Sequence, residues 1–458
     1  MTKLFDATVA APIDLRILVN GEPQPDLPDA PRVAMIVCHG MGQQVPFETL
    51  DAVATAIADE HIKACGDKTR TGRRSVDAVL RFVRPMDAEK ILPRAEITLR
   101  QDGQPDREVH LYEAYWAPLT EGAISYTQTV SHLLEAGFNG LRESSHRAFR
   151  RWMFGDEKEL PIDPDTMRLL AVLLAIVTPI LLLPLAGFSI NSAIKSHQIL
   201  SWHTIGIVLL SVFSYFIHRF VVQYMGDVIV YVSSNEVNEF WKIRDQIKQI
   251  GLSLAKVVYG AIDGVPYTRS GEAQTAPHFL YSDIVVVGHS LGSVVAYDTL
   301  NAIINQDGLD SNVRKVVDRT EAFITLGSPL DKIAFLFRQK AKHAYTRDVL
   351  AAAYQPMILD YKNRPRWWVN VFCRKDIISG SLEYFDDPAE AHSEPRRARN
   401  FADSYDKLNP VSAHTGYWDR PAAKNFLYLA ATGSMKTTES DSFPHKEVKI
   451  RRAQQSSA

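Results

Sequence analysis

Along the chain, short apolar runs recur between longer stretches of helical period. Runs at 33–38, 79–83, 96–99, 109–115, 284–287, 322–326 and 367–372 are four to seven residues long and rich in Val, Ile, Phe and Trp. Such runs, apolar on both sides, read as strands of a mostly parallel sheet covered on both faces. The segments after 290, around 237–261 and at 422–431 have the 3.6-residue period of amphipathic helices, which gives an α/β class with helices on both faces. After Ser290 the apolar face is set by Leu291, Val294, Val295 and Tyr297. Two further segments break the pattern by length. "LLAVLLAIVTPILLLPLAGF" (169–188) and "ILSWHTIGIVLLSVFSYFI" (199–217) contain no Asp, Glu, Lys or Arg, and each approaches the ~20 residues that a spanning helix needs. Pro179 and Pro184 are tolerated in membrane helices, and Trp202 and Tyr215 stand near the ends, where interfacial aromatics collect.

These two segments predict a transmembrane hairpin joined by "NSAIKSHQ". The leading flank carries Arg150, Arg151, Lys158 and Arg168 against Lys195 alone in the connection, so the rest of the chain is expected on the cytoplasmic side of the membrane. The expected organisation is one interrupted α/β domain: an N-terminal part at 1–118, a helical insertion with the hairpin at 119–234, a C-terminal part at 235–432, and a disordered polar tail at 433–458.

Charge and composition narrow the partners. The formal net charge is −2 across 458 residues, so no global field favours nucleic acid. Three cysteines, Cys38, Cys65 and Cys373, are odd in number and widely spaced, which argues for reduced thiols. The first twenty residues hold no apolar core of signal-peptide length, and no H-E-x-x-H or cysteine pair suggests a metal site. No cofactor is expected.

The candidate chemistry centres on "SDIVVVGHSLGSVVAYDTL" (282–300). A buried strand gives way to a helix at Gly288-His289-Ser290-Leu291-Gly292, so Ser290 sits at the apex of a tight strand-to-helix turn. Gly288 and Gly292, lacking a Cβ, let strand and helix approach on either side of it. This G-x-S-x-G turn resembles the nucleophile elbow of the α/β-hydrolases. "HGMG" (39–42) is similar to the oxyanion loop of lipases and esterases, and "LGSP" (326–329) and the loops around Asp376 and His414 follow in the family's order. The resemblance extends over roughly 30–118 and 235–432.

That resemblance implies a Ser–Asp–His chain order and assigns Ser290 as nucleophile. Of the histidines after it, His445 lies in the polar tail, His392 in a charged stretch, and His343 before the last strand; His414, just ahead of the 422–431 helix, is left as the base. Asp376, three residues past the strand ending near Cys373, is the favoured acid, with Asp331 in "LGSPLD" as its rival. The backbone N–H groups of Leu291 and Met41 would form the oxyanion hole, while His39 is read as a packing residue. The resemblance implies a membrane-anchored serine hydrolase acting on an ester of a lipid or long acyl chain. Acyl transfer through the same triad, thioester cleavage, and a catalytically silent membrane scaffold remain as alternatives.

Overall fold

The computed structural model describes residues 8–19, 22, 24–28, 31–41, 44–86, 91–120, 239–263, 277–331, 356–376, 378–382, 394–403, 410–436 and 443–448. Both apolar segments of the expected hairpin lie outside them. Among the described residues, no helix is long and apolar enough to cross a membrane.

The described elements, in chain order, are β1 (Thr8–Leu15), β2 (Arg32–Cys38), α1 (Glu48–Cys65), β3 (Val76–Pro85), β4 (Leu92–Leu99), β5 (Arg107–Ala114), α2 (Glu239–Gly260), β6 (Ile262–Asp263), β7 (His278–Phe279), β8 (Asp283–His289), α3 (Leu291–Leu309), β9 (Thr320–Leu326), β10 (Trp367–Cys373), β11 (Ala398–Asp403), α4 (Pro410–Thr415) and α5 (Pro421–Ala431), besides shorter turns of helix. Nine strands form one twisted α/β sheet in the order β1-β3-β4-β5-β2-β8-β9-β10-β11, and β6 pairs only with β7. From β5 to β11 every neighbouring pair is parallel. β4 is antiparallel to both of its neighbours. The N-terminal and C-terminal parts of the chain meet inside this sheet, where β2 pairs with β8 from Val33↔Asp283 to Cys38↔Gly288.

Why these runs make a two-faced sheet follows from the strand period of two. In β2, Ala34, Ile36 and Cys38 face one core with Tyr112, Val286, Phe323 and residues of α2 and α3. Val33, Met35 and Val37 face the other, with Val285, Val287 and residues of α1 and α5. Every residue of β8, β9 and β10 is buried. All three cysteines are free thiols, and burial pushes the Cys38 thiol pKa up to about 12.

Two expectations need correction. The stretch after Ser290 was read as a helix with one apolar face; α3 is instead buried all round from Leu291 to Tyr297, because α2 covers its outer side. Gly251 of α2 makes that approach possible, since a Cβ there would strike the Thr299 hydroxyl. Asp298, at the rim, is satisfied by Lys248 at 3.0 Å. The tail is not wholly free: Phe443 packs on Phe401 and Phe426, and the Val448 N–H donates to the Asn400 carbonyl at 2.7 Å. Separately, β1, α1 and β11 were not anticipated from the hydrophobic pattern.

Candidate active site

The parallel strands β2, β8, β9 and β10 deliver four loops to one edge of the sheet, beyond their C-terminal ends, where open α/β sheets bind their ligands. From β8 comes Ser290, only 1% exposed, at φ 53° and ψ −130°. A non-glycine residue in that region carries backbone strain and persists only when its surroundings over-determine it. Here they do. The Ser290 N–H donates to the Leu326 carbonyl at 2.9 Å, and the Ser290 carbonyl accepts the Ser293 N–H at 3.0 Å and the Ser293 hydroxyl at 2.6 Å.

The two glycines of the turn act by close approach. A Cβ on Gly288 would strike the backbone of Ser293, and one on Gly292 would strike the carbonyls of Cys38 and His39. The strand-to-helix crossing and the β2 loop could not close on the serine with any larger residue. Leu291 opens α3, where backbone N–H groups lack intrahelical acceptors.

Ser290 Oγ lies 2.6 Å from His414 Nε2, and His414 Nδ1 lies 2.9 Å from Asp376 Oδ2. The carboxylate only accepts, so Nδ1 carries the imidazole proton and Nε2 is left to accept from the serine. Asp376 Oδ1 accepts the Ile378 N–H at 2.9 Å. Burial pushes the Asp376 carboxyl up; the charge and hydrogen bond of His414, with the Ile378 N–H and the Ser379 hydroxyl, outweigh that and hold its pKa well below the usual carboxylate range. The residues singled out in sequence as Ser290, His414 and Asp376 are thus joined in one hydrogen-bonded relay. Asp331, the rival acid, is not the partner of His414 Nδ1.

The β2 loop lies directly against the serine. A Cβ on Gly40 would stand 3.1 Å from the Ser290 Cβ. Met41 is buried, and its carbonyl accepts from the Gln44 amide at 3.2 Å. Gly42 lies outside the described residues. His39 fixes this loop: Nδ1 donates to the Gly40 carbonyl at 2.8 Å, Nε2 accepts the Trp116 N–H at 3.0 Å, and the ring stacks on Trp116 at 4.7 Å. Burial lowers its pKa to about 4, so it is a neutral packing residue, as expected.

Two participants, His289 and Tyr417, and one further perturbed group, Glu113, escaped the sequence reading. His289 donates from Nε2 to the His414 carbonyl at 3.0 Å and packs on the rings of His414 and Tyr417; burial lowers its pKa to about 3. It ties the base loop to the elbow. Tyr417 donates to Asp376 Oδ2 at 2.9 Å. Burial, then the Asp376 charge, pushes its phenol well above the ordinary value, so it remains a donor. Glu113, on β5, accepts the N–H of Phe47 at 3.2 Å with Oε2 and so caps α1 from a distance. Phe47 itself is left-handed at φ 72°. Burial raises the Glu113 pKa to about 7. Only spacing hinted at any of these: His289 adjoins Ser290, and Tyr417 follows His414 by three residues.

Among the described residues, no group of three His, Cys, Asp or Glu side chains could hold a metal ion. Comparison with protein-family models, with curated proteins and with solved structures found no match.

Proposed function

We propose that the chain is a serine hydrolase of the α/β-hydrolase type, cleaving a carboxylic ester through an acyl-enzyme. The observation that carries this reading is the continuous relay from Ser290 Oγ through His414 to Asp376, at 2.6 and 2.9 Å, starting from a strained serine at a strand-to-helix turn. A serine in that setting has a base at hydrogen-bond distance, and the base has a carboxylate that fixes its tautomer.

In the proposed reaction Ser290 Oγ attacks the ester carbonyl as His414 Nε2 takes its proton. The developing oxyanion faces the N–H groups of Leu291 and Met41, which stabilise charge that the ground state lacks. The imidazolium, held against Asp376, then protonates the leaving alcohol, and water deacylates Ser290 by the same path. An alcohol or thiol in place of that water would make the protein an acyltransferase, and a thioester in place of the ester would make it a thioesterase. The substrate class, a lipid or long-chain acyl ester, rests on the apolar segments 169–188 and 199–217. As a hairpin, these would hold the sheet at the cytoplasmic face of a bilayer and let an apolar substrate enter without crossing water.

The test is fluorophosphonate labelling of the detergent-solubilised protein, followed by p-nitrophenyl esters of rising chain length. Ser290 should be the modified residue. Ser290→Ala should lose labelling and at least about 10³-fold in kcat while remaining folded. Absence of labelling in folded protein would sink the enzyme reading, whereas a preference for short chains would remove only the lipid assignment.

A further inference from the structure

The relay does not end at Asp376. Its Oδ2 accepts two donors, the His414 Nδ1–H and the Tyr417 hydroxyl, each at 2.9 Å. The Tyr417 oxygen is itself fully used. It gives its one proton to the carboxylate, accepts the Cys373 N–H at 2.9 Å, and lies 2.9 Å from the Ser379 hydroxyl, whose single proton it shares with Asp376. Cys373 closes β10 and Asp376 follows it, so this one hydroxyl spans the turn that carries the acid.

The ring is as constrained as the oxygen. Tyr417 is fully buried. One face lies on Gly327, at φ 60°, where a Cβ would come within 2.5 Å of the ring. The Arg420 guanidinium sits 4.0 Å from the ring centroid, and Arg420 also donates to the Ala413 carbonyl beside the base. His289 packs on the ring at 5.8 Å. The loops after β8, β9 and β10 therefore converge on one aromatic side chain carried by the turn after α4.

We propose that Tyr417 is a positioning residue of the relay, acting through Asp376 to set both the orientation and the basicity of His414. The inference rests on the hydrolase reading above. A neutral phenol sharing Oδ2 with the imidazole N–H draws part of the carboxylate's charge, which tempers how strongly Asp376 stabilises the imidazolium. Without the hydroxyl, the carboxylate can turn within its loop, and its undivided charge falls on His414. Orientation is lost while imidazolium stability rises.

The experiment compares wild type with Tyr417→Phe in full-length, detergent-solubilised protein, with every rate normalised to the fraction of Ser290 that the fluorophosphonate titrates. The phenylalanine variant should lose roughly 10- to 100-fold in kcat at nearly unchanged KM, as for a misoriented catalytic group. The acid limb of its kcat/KM profile should move to higher pH. In an Asp376→Asn background the same substitution should have little further effect on the rate of Ser290 labelling, because the group through which it acts is gone. Replacement of Tyr417 by 3-fluorotyrosine keeps all three bonds with a stronger donor and should move the acid limb to lower pH. It therefore serves if the phenylalanine variant does not fold. An unmoved acid limb in the variants that fold, with unchanged kcat per titrated site, would overturn the proposal. So would an equal loss in the Asp376→Asn background. Failure of wild type to label at Ser290 would instead overturn the hydrolase reading itself.

Discussion

Ser290 offers a direct measure of the strain stored at the turn. Its φ of 53° with ψ −130° is a conformation open to glycine but costly for serine or alanine. Replacement by alanine and by glycine removes the same bond to His414 Nε2, so the difference between the two variants isolates the backbone. The strained conformation costs of order 1–3 kcal/mol, which glycine relieves. Against this stands glycine's greater freedom in the unfolded chain, worth about 0.5–1 kcal/mol. The Ser290→Gly variant should therefore be more stable than Ser290→Ala by about 0.5–2 kcal/mol, the reverse of the ordinary order. At ~2–4 °C per kcal/mol for a domain of this size, that is a rise of a few degrees in Tm. Thermal unfolding in one detergent, with Gln306→Gly and Gln306→Ala in α3 as a helical control, makes the comparison. If glycine at 290 is destabilising by the same amount as at 306, the turn is not strained and the elbow reading of Ser290 loses its physical basis.

Asp376→Asn should lower kcat by up to ~10⁴-fold by favouring the wrong imidazole tautomer, while Asp331→Asn should leave kcat unchanged; a loss only at Asp331, read in the same ester assay, would reverse the assignment of the acid. Glu113, whose pKa rises on burial from 4.5 to about 7, contributes stability that is full below about pH 4.5 and lost as pH rises through 7. Glu113→Gln should remove that dependence, so the stability of wild type relative to the variant should fall by about 3 kcal/mol between pH 4.5 and 8, and a difference constant with pH would refute it. Replacing residues 168–219 by a short Gly/Ser linker should release the protein from membranes while Ser290 still labels. Insoluble, unreactive protein would mean that these segments are part of the catalytic fold.

What was legible in the sequence was what local chemistry dictates. Four β-branched residues before Gly288 cannot be read as a surface loop, and the glycines on either side of Ser290 announce a close approach that the carbonyls of Cys38 and His39 supply. β1 was missed because it is exposed along most of its length and so has no alternation. β11 was missed because polar residues are buried on both of its faces, Asn400 beside Ala398 and Arg399 beside Phe401: Asn400 accepts from Asn370 at 2.9 Å and donates to the Leu382 carbonyl at 3.2 Å, bonds that no period announces. α1 is rich in alanine, which gives its buried side little contrast with the rest. Tyr417 and His289 owe their roles to partners in other loops, which only the folded arrangement supplies.

The pairing of β2 with β8 has a consequence for how the chain is made. β5 ends at Ala114 and β8 at His289, so 289 − 114 = 175 residues are added between the time β2 can gain its first neighbour and the time it can gain its second. At ~5–20 residues per second, the β8-facing edge of β2 waits roughly 10–35 s on the ribosome. That edge is the apolar run RVAMIVC, with no proline and with one charge, at its first residue, to discourage pairing with another chain. The nascent N-terminal part therefore carries an unpaired apolar edge for that interval. Substitutions that slow delivery of β8 should reduce the yield of folded protein before they affect the stability of the finished molecule.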